Sequence, residues 1–216
     1  EASTVILDGI DSVNVEISGG TFSSDVTKYL KDGFTQNADG KVVEKTYVAS
    51  IGDKKYETLK GAIDASKDGD TIKVLSSLSL DKGLTLKKDI TIDLGGNTIE
   101  SKGMLFDIYS NVKLKNGTFK GIDFTSAGAT IWLNENASLN VEKDATIDVT
   151  SNGTSSFDIG FWIDCDGATL TVNGTLKGEN GVTVNGVIET DNTVNIDGAT
   201  IDVTGHGLYL AGVATT

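Results

Sequence analysis

The chain has 216 residues, a formal net charge of −13 and a pI near 4.4, with 38% hydrophobic residues. This hydrophobic content is enough for a packed core, which excludes a disordered polymer. The negative net charge disfavours a nucleic-acid partner. All 18 basic residues are lysine, so no guanidinium is available for bidentate contacts to phosphate. No apolar span of 18 residues occurs, and we expect no membrane insertion.

Composition also predicts the fold class. The chain contains 26 glycines and many Ser, Thr, Asn and Asp residues, a balance typical of short strands separated by turns. The single cysteine, Cys165, excludes an internal disulfide and a CxxC site. Because its neighbours alternate, its side chain can be a small buried hydrophobe or an outward thiol. We therefore expect an all-β protein.

The N-terminal segment carries one strand pattern and then changes character. Residues 13–17 alternate and lead into Gly20-Thr21-Phe22. Ser23-Ser24-Asp25 predicts the start of a short helix through Leu30. Asp39-Gly40 lies between Phe34-Thr35 and Val42-Val43 as a hairpin signal. We interpret residues 1–45 as the terminal coil, closing cap and connector of a preceding β-helix unit.

A helical period follows. Tyr56, Leu59, Ala62 and Ile63 recur at helical spacing, which predicts a short helix over about residues 56–67. Residues 71–75 then resume the alternation of a strand. Because the open end of a solenoid exposes its core and unpaired strand edges, we interpret this helix as the N-terminal cap of a β-helix over residues 46–216.

One repeat unit recurs along the chain. An alternating strand precedes a small residue, a threonine and an apolar residue in six places, with the threonines at Thr21, Thr98, Thr118, Thr146, Thr175 and Thr200. From Thr98 onward the steps are 20, 28, 29 and 25 residues. A constant unit at variable spacing predicts the coils of a solenoid whose turns differ in length.

Two segments resemble known families. Residues 56–66, followed by 68–74, resemble the capping helix and first strand of the pectin lyase-like superfamily. Residues 17–25, with Tyr29-Leu30 and Gly33-Phe34, resemble a module that closes β-helix domains in large bacterial surface proteins described as adhesin-like; such modules often have Pro where this chain has Val26. The resemblance implies a right-handed parallel β-helix in a secreted bacterial protein.

Many proteins of the pectin lyase-like superfamily cleave acidic polysaccharides, which makes catalysis an alternative to test. Pectate lyases use an arginine base, and this chain has none. Polygalacturonases combine paired aspartates with Gly-His-Gly and Arg-Ile-Lys, of which only Gly205-His206-Gly207 is present. We cannot place the aspartate pair and glutamine of pectin methylesterases. We therefore interpret His206 as a turn residue.

Asp164 and Asp166 are the carboxylate pair to consider. On a strand, residues two apart point to the same side at about 7 Å between Cα atoms, within the range used by inverting glycosidases. The same pair could bind calcium in a calcium-stabilised module. The third interpretation is a solvated acidic face, typical of any strand in so acidic a chain.

The aromatic residues and the glycosylation motifs each have two interpretations. Exposed aromatic residues in a row could stack on sugar rings, whereas aromatic residues between aliphatic neighbours belong to a core or its rim. The aromatic candidates are Tyr109, Trp132, Phe161, Trp162 and Tyr209. Asn-X-Ser/Thr motifs either accept glycans or form tight coil corners; they begin at Asn116, Asn136, Asn152 and Asn173.

The sequence thus predicts a non-catalytic module of a bacterial cell surface, an extended stalk or fibre-forming β-helix repeat that presents an adhesion surface. The alternative is a polysaccharide lyase or glycoside hydrolase of the pectin lyase-like fold. We assign no catalytic residue, cofactor or metal. The expected partners are neighbouring copies or repeat units joined head to tail, and a host or matrix glycan or protein. We expect the chain to stop in mid-coil near Gly212 and to begin in one, as in a tandem array or a filament protomer.

Overall fold

A computed structural model of the chain describes residues 14–122, 128–149, 158–185 and 192–211. The chain divides into two compact units, residues 1–47 and residues 48–216. In the part of the chain that the structure describes, no helix has the length and apolar character needed to cross a membrane. The predicted coil segment at residues 5–7 lies outside the described residues.

The first unit contains a 3-10 turn and a hairpin. The turn, η1, spans Thr27–Tyr29, which is shorter than the helix predicted from Ser23 onward. Strands β1 (Phe34–Gln36) and β2 (Val42–Glu44) pair antiparallel, so the predicted hairpin is confirmed. A small core of Ile17, Val26 and Val42 lies inside this unit. Its assignment to a preceding β-helix stays a prediction.

The second unit is a parallel β-helix, as predicted. Strands β5 to β22 follow one another in triplets, and each triplet places one strand in each of three sheets; we call one triplet a coil. The first sheet contains β3 (Ala49–Ile51), β4 (Lys54–Tyr56), β5 (Thr71–Val74), β8 (Ile90–Asp93), β11 (Asn111–Lys115), β14 (Ser138–Val141), β17 (Thr169–Val172) and β20 (Thr193–Ile196). The second sheet contains β6 (Leu78–Leu80), β9 (Thr98–Lys102), β12 (Gly117–Ile122), β15 (Ala145–Val149), β18 (Thr175–Gly178) and β21 (Thr200–Val203). The third sheet contains β7 (Leu84–Leu86), β10 (Phe106–Ile108), β13 (Gly128–Leu133), β16 (Asp158–Ile163), β19 (Asn180–Asn185) and β22 (Leu208–Ala211).

The repeat threonines form one ladder through the second sheet. Five of them are direct partners in successive parallel strands, namely Thr98, Thr118, Thr146, Thr175 and Thr200. The apolar residue after each threonine points inward, and four of these five side chains are fully buried, those of Ile99, Phe119, Ile147 and Leu176. The predicted repeat unit is confirmed for these five copies, because residues at unequal sequence spacing occupy the same register position. The sixth, at Thr21, instead forms an antiparallel bridge with Lys41.

The core runs along the axis of the coil. Inward side chains of each sheet stack on their partners one coil away, as Val172 does between Val141 and Ile196. Exposure rises at the last triplet, where Ile196 is 42% and Leu210 is 70% exposed. This triplet, β20 to β22, is the last among the described residues.

The helix differs from its prediction in length and place. Helix α1 spans Leu59–Ala65 rather than about 56–67. It lies within the coil, between β4 and β5, and does not cap the N-terminal end of the first sheet. That end consists of the β3–β4 hairpin: β3 pairs antiparallel with β5, and β4, the outermost strand, pairs antiparallel with β3. The N-terminal strand edge is therefore covered by a hairpin, which turns at Gly52 with φ 55°, and the prediction of a capping helix is wrong.

Both ends of α1 are satisfied by side chains. The hydroxyl of Thr58 accepts a hydrogen bond from the Gly61 N–H at 3.0 Å, as an N-cap residue should. At the other end, the ammonium group of Lys88 donates to the carbonyls of Ile63, Asp64 and Ser66 at 3.1, 2.8 and 2.7 Å. Lys88 lies between β7 and β8, so one lysine fixes the C-terminus of the helix to the next coil.

Candidate binding surface

Two tryptophans form a pair on the outward face of the third sheet. Trp132 and Trp162 are direct partners in β13 and β16, and their ring centroids lie 6.0 Å apart at an interplanar angle of 50°. Both are half-buried, whereas Ile131 and Phe161, which precede them, are fully buried. The tryptophans thus lie at the rim and not in the core, and the pair presents an aromatic surface.

The other aromatic candidates do not extend this pair into a continuous row. Phe161 is in the core. Tyr209 lies in the same register column as the pair, but Thr183 separates it from Trp162. Tyr109 is 50% exposed and lies at a different position, with the Lys87 ammonium 5.4 Å from its ring centroid. The predicted row therefore reduces to Trp132 and Trp162.

The aspartate pair does not have its predicted strand geometry. Strand β16 ends at Ile163, so Asp164 and Asp166 lie in the turn that follows. The Asp164 carboxylate accepts a hydrogen bond of 3.0 Å from the indole N–H of Trp132. No group of three or more His, Cys, Asp or Glu residues could hold a metal ion within the described ranges. The placement on a strand is wrong, while calcium binding by the pair stays an untested alternative.

Cys165 is neither the fully buried hydrophobe nor the outward thiol of the two interpretations. The thiol is half-buried and packs against the main core, and it donates a hydrogen bond of 3.2 Å to the Leu133 carbonyl. Burial, with the negative charges of Asp164 and Asp166, raises the pKa of the Cys165 thiol to about 11. The thiolate is the reactive form of cysteine, so this side chain is poorly suited to act as a nucleophile near neutral pH.

His206 occupies a turn, as predicted. It lies between β21 and β22 and is exposed, and its backbone N–H donates a hydrogen bond of 3.0 Å to the side-chain oxygen of Asn180. Its ring meets the Tyr209 ring edge-on, with 5.6 Å between the centroids.

Coil corners explain two of the Asn-X-Ser/Thr motifs. Asn116 has φ 59° and Asn136 has φ 57°, the left-handed conformation that asparagine tolerates. A Cβ atom on Gly117 would lie 2.4 Å from the Asn97 carbonyl oxygen, and one on Gly174 would lie 2.3 Å from that of Ala145. Each of these two glycines is required because the neighbouring coil passes so close. The corner interpretation is confirmed for Asn116 and Asn136, and Asn152 lies outside the described residues.

Polar side chains in the turns hydrogen-bond from one coil to the next, which the sequence analysis missed. Asp89 accepts hydrogen bonds from the backbone N–H and the side-chain amide of Asn111 at 2.8 and 3.0 Å. These hydrogen bonds, the one from the side chain first, lower the pKa of Asp89. Asn134 likewise donates to the Asp107 carboxylate at 2.6 Å. An Asx residue at the start of consecutive turns is the sequence signal that could have revealed these contacts.

Comparison with known proteins identifies no family for this chain. No protein-family model, no curated protein and no solved structure matches the chain.

Proposed function

We propose that the chain is a non-catalytic structural module of a bacterial cell-surface protein, an extended β-helix repeat that presents an adhesion surface. The observation that carries this proposal is the use of polar side chains in the turns as ties between coils. The carboxylates of Asp89 and Asp164 each accept hydrogen bonds from the neighbouring coil. An active site needs such groups to be free for substrate, whereas a stalk needs them as ties.

The tryptophan pair is the proposed adhesion surface. Trp132 and Trp162 are outward and adjacent, and the Trp132 ring is held by its hydrogen bond to Asp164. Aromatic rings fixed at a surface contribute much contact area at little cost in side-chain entropy. The proposed ligand is a host or matrix glycan or protein. A glycan and matrix-protein array probed with the full chain and with Trp162→Ala tests this: we expect binding that is lost in the variant, with Tyr47→Ala as the control. Equal binding of all three proteins would contradict the assignment.

The enzymatic alternative is tested by incubation with polygalacturonate and related acidic polysaccharides, with and without calcium. We expect neither unsaturated nor reducing-end products, because the net charge of −13 repels such substrates and no arginine binds their carboxylates. Product formation that Asp164→Ala abolishes would overturn the non-catalytic proposal.

Head-to-tail assembly on the bacterial surface completes the proposal. The apolar side chains exposed at the last triplet, such as Leu210, and the coil pattern of residues 13–22 support an end-to-end contact between copies or repeat units. Such a contact is heterologous and propagates as a filament unless its rotation closes a ring. Light scattering of the full chain, compared with a variant lacking residues 1–24, measures the assembly. Unchanged association would contradict the contact.

A further inference from the structure

A lysine-lined cavity lies in the second unit of this acidic protein, beside α1 and β7. Its volume is about 540 Å³, and its lining includes four of the 18 lysines, namely Lys60, Lys82, Lys87 and Lys88. Asp64 is the one acidic residue of this lining. The local charge is therefore positive, opposite in sign to the net charge of −13.

Two of these lysines are held in place by structural contacts. Lys88 donates to three carbonyls at the C-terminus of α1, which fixes its ammonium group at the wall of the cavity. Lys60 forms an ion pair of 2.6 Å with Asp64, and both side chains are well exposed. Exposed ion pairs of this kind contribute little to stability, so Lys60 can exchange its partner for a ligand.

The other two lysines have no carboxylate partner within ion-pair distance among the described residues. Lys82 and Lys87 are both exposed and both line the cavity. The nearest aromatic group to Lys87 is the Tyr109 ring, at 5.4 Å from its ammonium nitrogen. Asp107, in register with Thr85 of the lining, is already engaged by Asn134.

The apolar part of the wall strengthens the charges. Leu84 and Ile90 line the cavity and are almost fully buried, so part of its wall is apolar. Attraction between an ammonium group and an anion grows as water is excluded from the space between them. A volume of this size also suits a sugar-sized ligand better than a single ion.

We propose that this cavity binds an oxyanion, a phosphate or sulfate group carried on a small ligand such as a sugar ester. Lys82 and Lys87 would bind the anion, Lys88 would supply a fixed positive charge, and the apolar wall would contact the carrier. Lysine binds phosphate as a point charge and needs no bidentate geometry, which fits a chain without arginine. This inference goes beyond the proposed function and does not depend on it.

Isothermal titration calorimetry on the full chain tests the site with glucose 6-phosphate, glucose 6-sulfate, inorganic phosphate and glucose. We expect one or both sugar esters to bind more tightly than inorganic phosphate, and glucose not to bind. The preferred ester identifies the source of the oxyanion. Binding should weaken severalfold between about 20 and about 200 mM NaCl, because exposed charges are screened.

Matched double variants separate the site from the overall charge. Lys82→Gln with Lys87→Gln should weaken ester binding about tenfold or more, since each lost charged hydrogen bond is substantial. Lys120→Gln with Lys143→Gln removes the same charge at positions outside the cavity lining and should change the affinity less than about twofold. Thermal melts establish that both variants fold. Equal affinities of the two variants, or no ester binding by the wild type at about 10 mM, would overturn the proposal.

Discussion

The indole N–H of Trp132 donates a hydrogen bond of 3.0 Å to the carboxylate of Asp164. Trp132 lies in β13, and Asp164 immediately follows β16, so this bond joins one coil to the turn of the next. Asp164, one of the two aspartates considered for catalysis, thus serves to orient an aromatic ring. The contribution of this hydrogen bond to stability can therefore be measured by mutating either residue.

Asp164→Ala should lower the free energy of unfolding by about 1 kcal/mol, because it leaves the Trp132 indole without its acceptor. Trp132→Phe should cost a similar amount, and the double variant should cost less than the sum. Urea denaturation measures the three values, with Asp53→Ala in an exposed turn as the control. Strict additivity would show that the hydrogen bond contributes nothing.

Val172→Asp should destabilise the second unit by more than about 3 kcal/mol, because the side chain is fully buried between Val141 and Ile196. Thr171→Asp places the same charge on the outward face of the same strand and should cost less than about 1 kcal/mol. Denaturant melts of the two variants compare the faces directly. Similar losses would mean that the inward and outward assignment of β17 is incorrect.

Lys88→Met retains the aliphatic stem but removes three hydrogen bonds to the C-terminal carbonyls of α1. We expect a loss of about 2 kcal/mol, since the three carbonyls lose the ammonium donor, although that of Ile63 keeps the Ser66 hydroxyl at 2.7 Å, and the favourable interaction of the cation with the helix dipole is lost. Lys87→Met, at the exposed neighbouring position, should cost far less. Chemical denaturation measures both variants, and equal stabilities would refute the capping role of Lys88.

Acid should weaken the tie between Asp89 and Asn111. Because hydrogen bonds from Asn111 lower the pKa of Asp89 below its ordinary value of 3.8, the folded state binds the proton less tightly than the unfolded state. The stabilisation is fully present above that ordinary value and is lost as the pH falls through the lower folded one. Melting temperatures between about pH 7 and about pH 2.5 should therefore fall more steeply for the wild type than for Asp89→Asn. The control is Asp53→Asn, and parallel curves for the wild type and Asp89→Asn would contradict this account.

The coil was predictable because its signal is local. Each strand carries its own alternation, and the threonine with its following apolar residue marks the same register position in every coil, as at Thr118 and Thr146. The variable spacing did not hide the repeat, since residues added in a turn leave the strands that stack unchanged. Trp162 and Phe161 illustrate the limit: alternation separates them, but only the register fixes which one faces the core.

The rest depends on contacts between distant residues. The alternation around Cys165 gave no sign that β16 ends at Ile163, so Asp164 and Asp166 were placed on a strand. The helical period of α1 was visible, but the hairpin that occupies the end of the first sheet was not recognised before it. The lysine-lined cavity joins Lys60 to Lys82 and Lys87, which become neighbours only when a coil closes.

The direction of the ladders has a mechanical consequence for the second unit. Parallel strands that stack coil upon coil place their hydrogen bonds along the axis, so a force along that axis loads the coils in series and peels them one after another. The repeat steps of 20 to 29 residues would each release about 70 to 100 Å of chain. Pulling on a single molecule should give a staircase of small, low-force extensions. A module with this response yields gradually under tension and dissipates the load over many events.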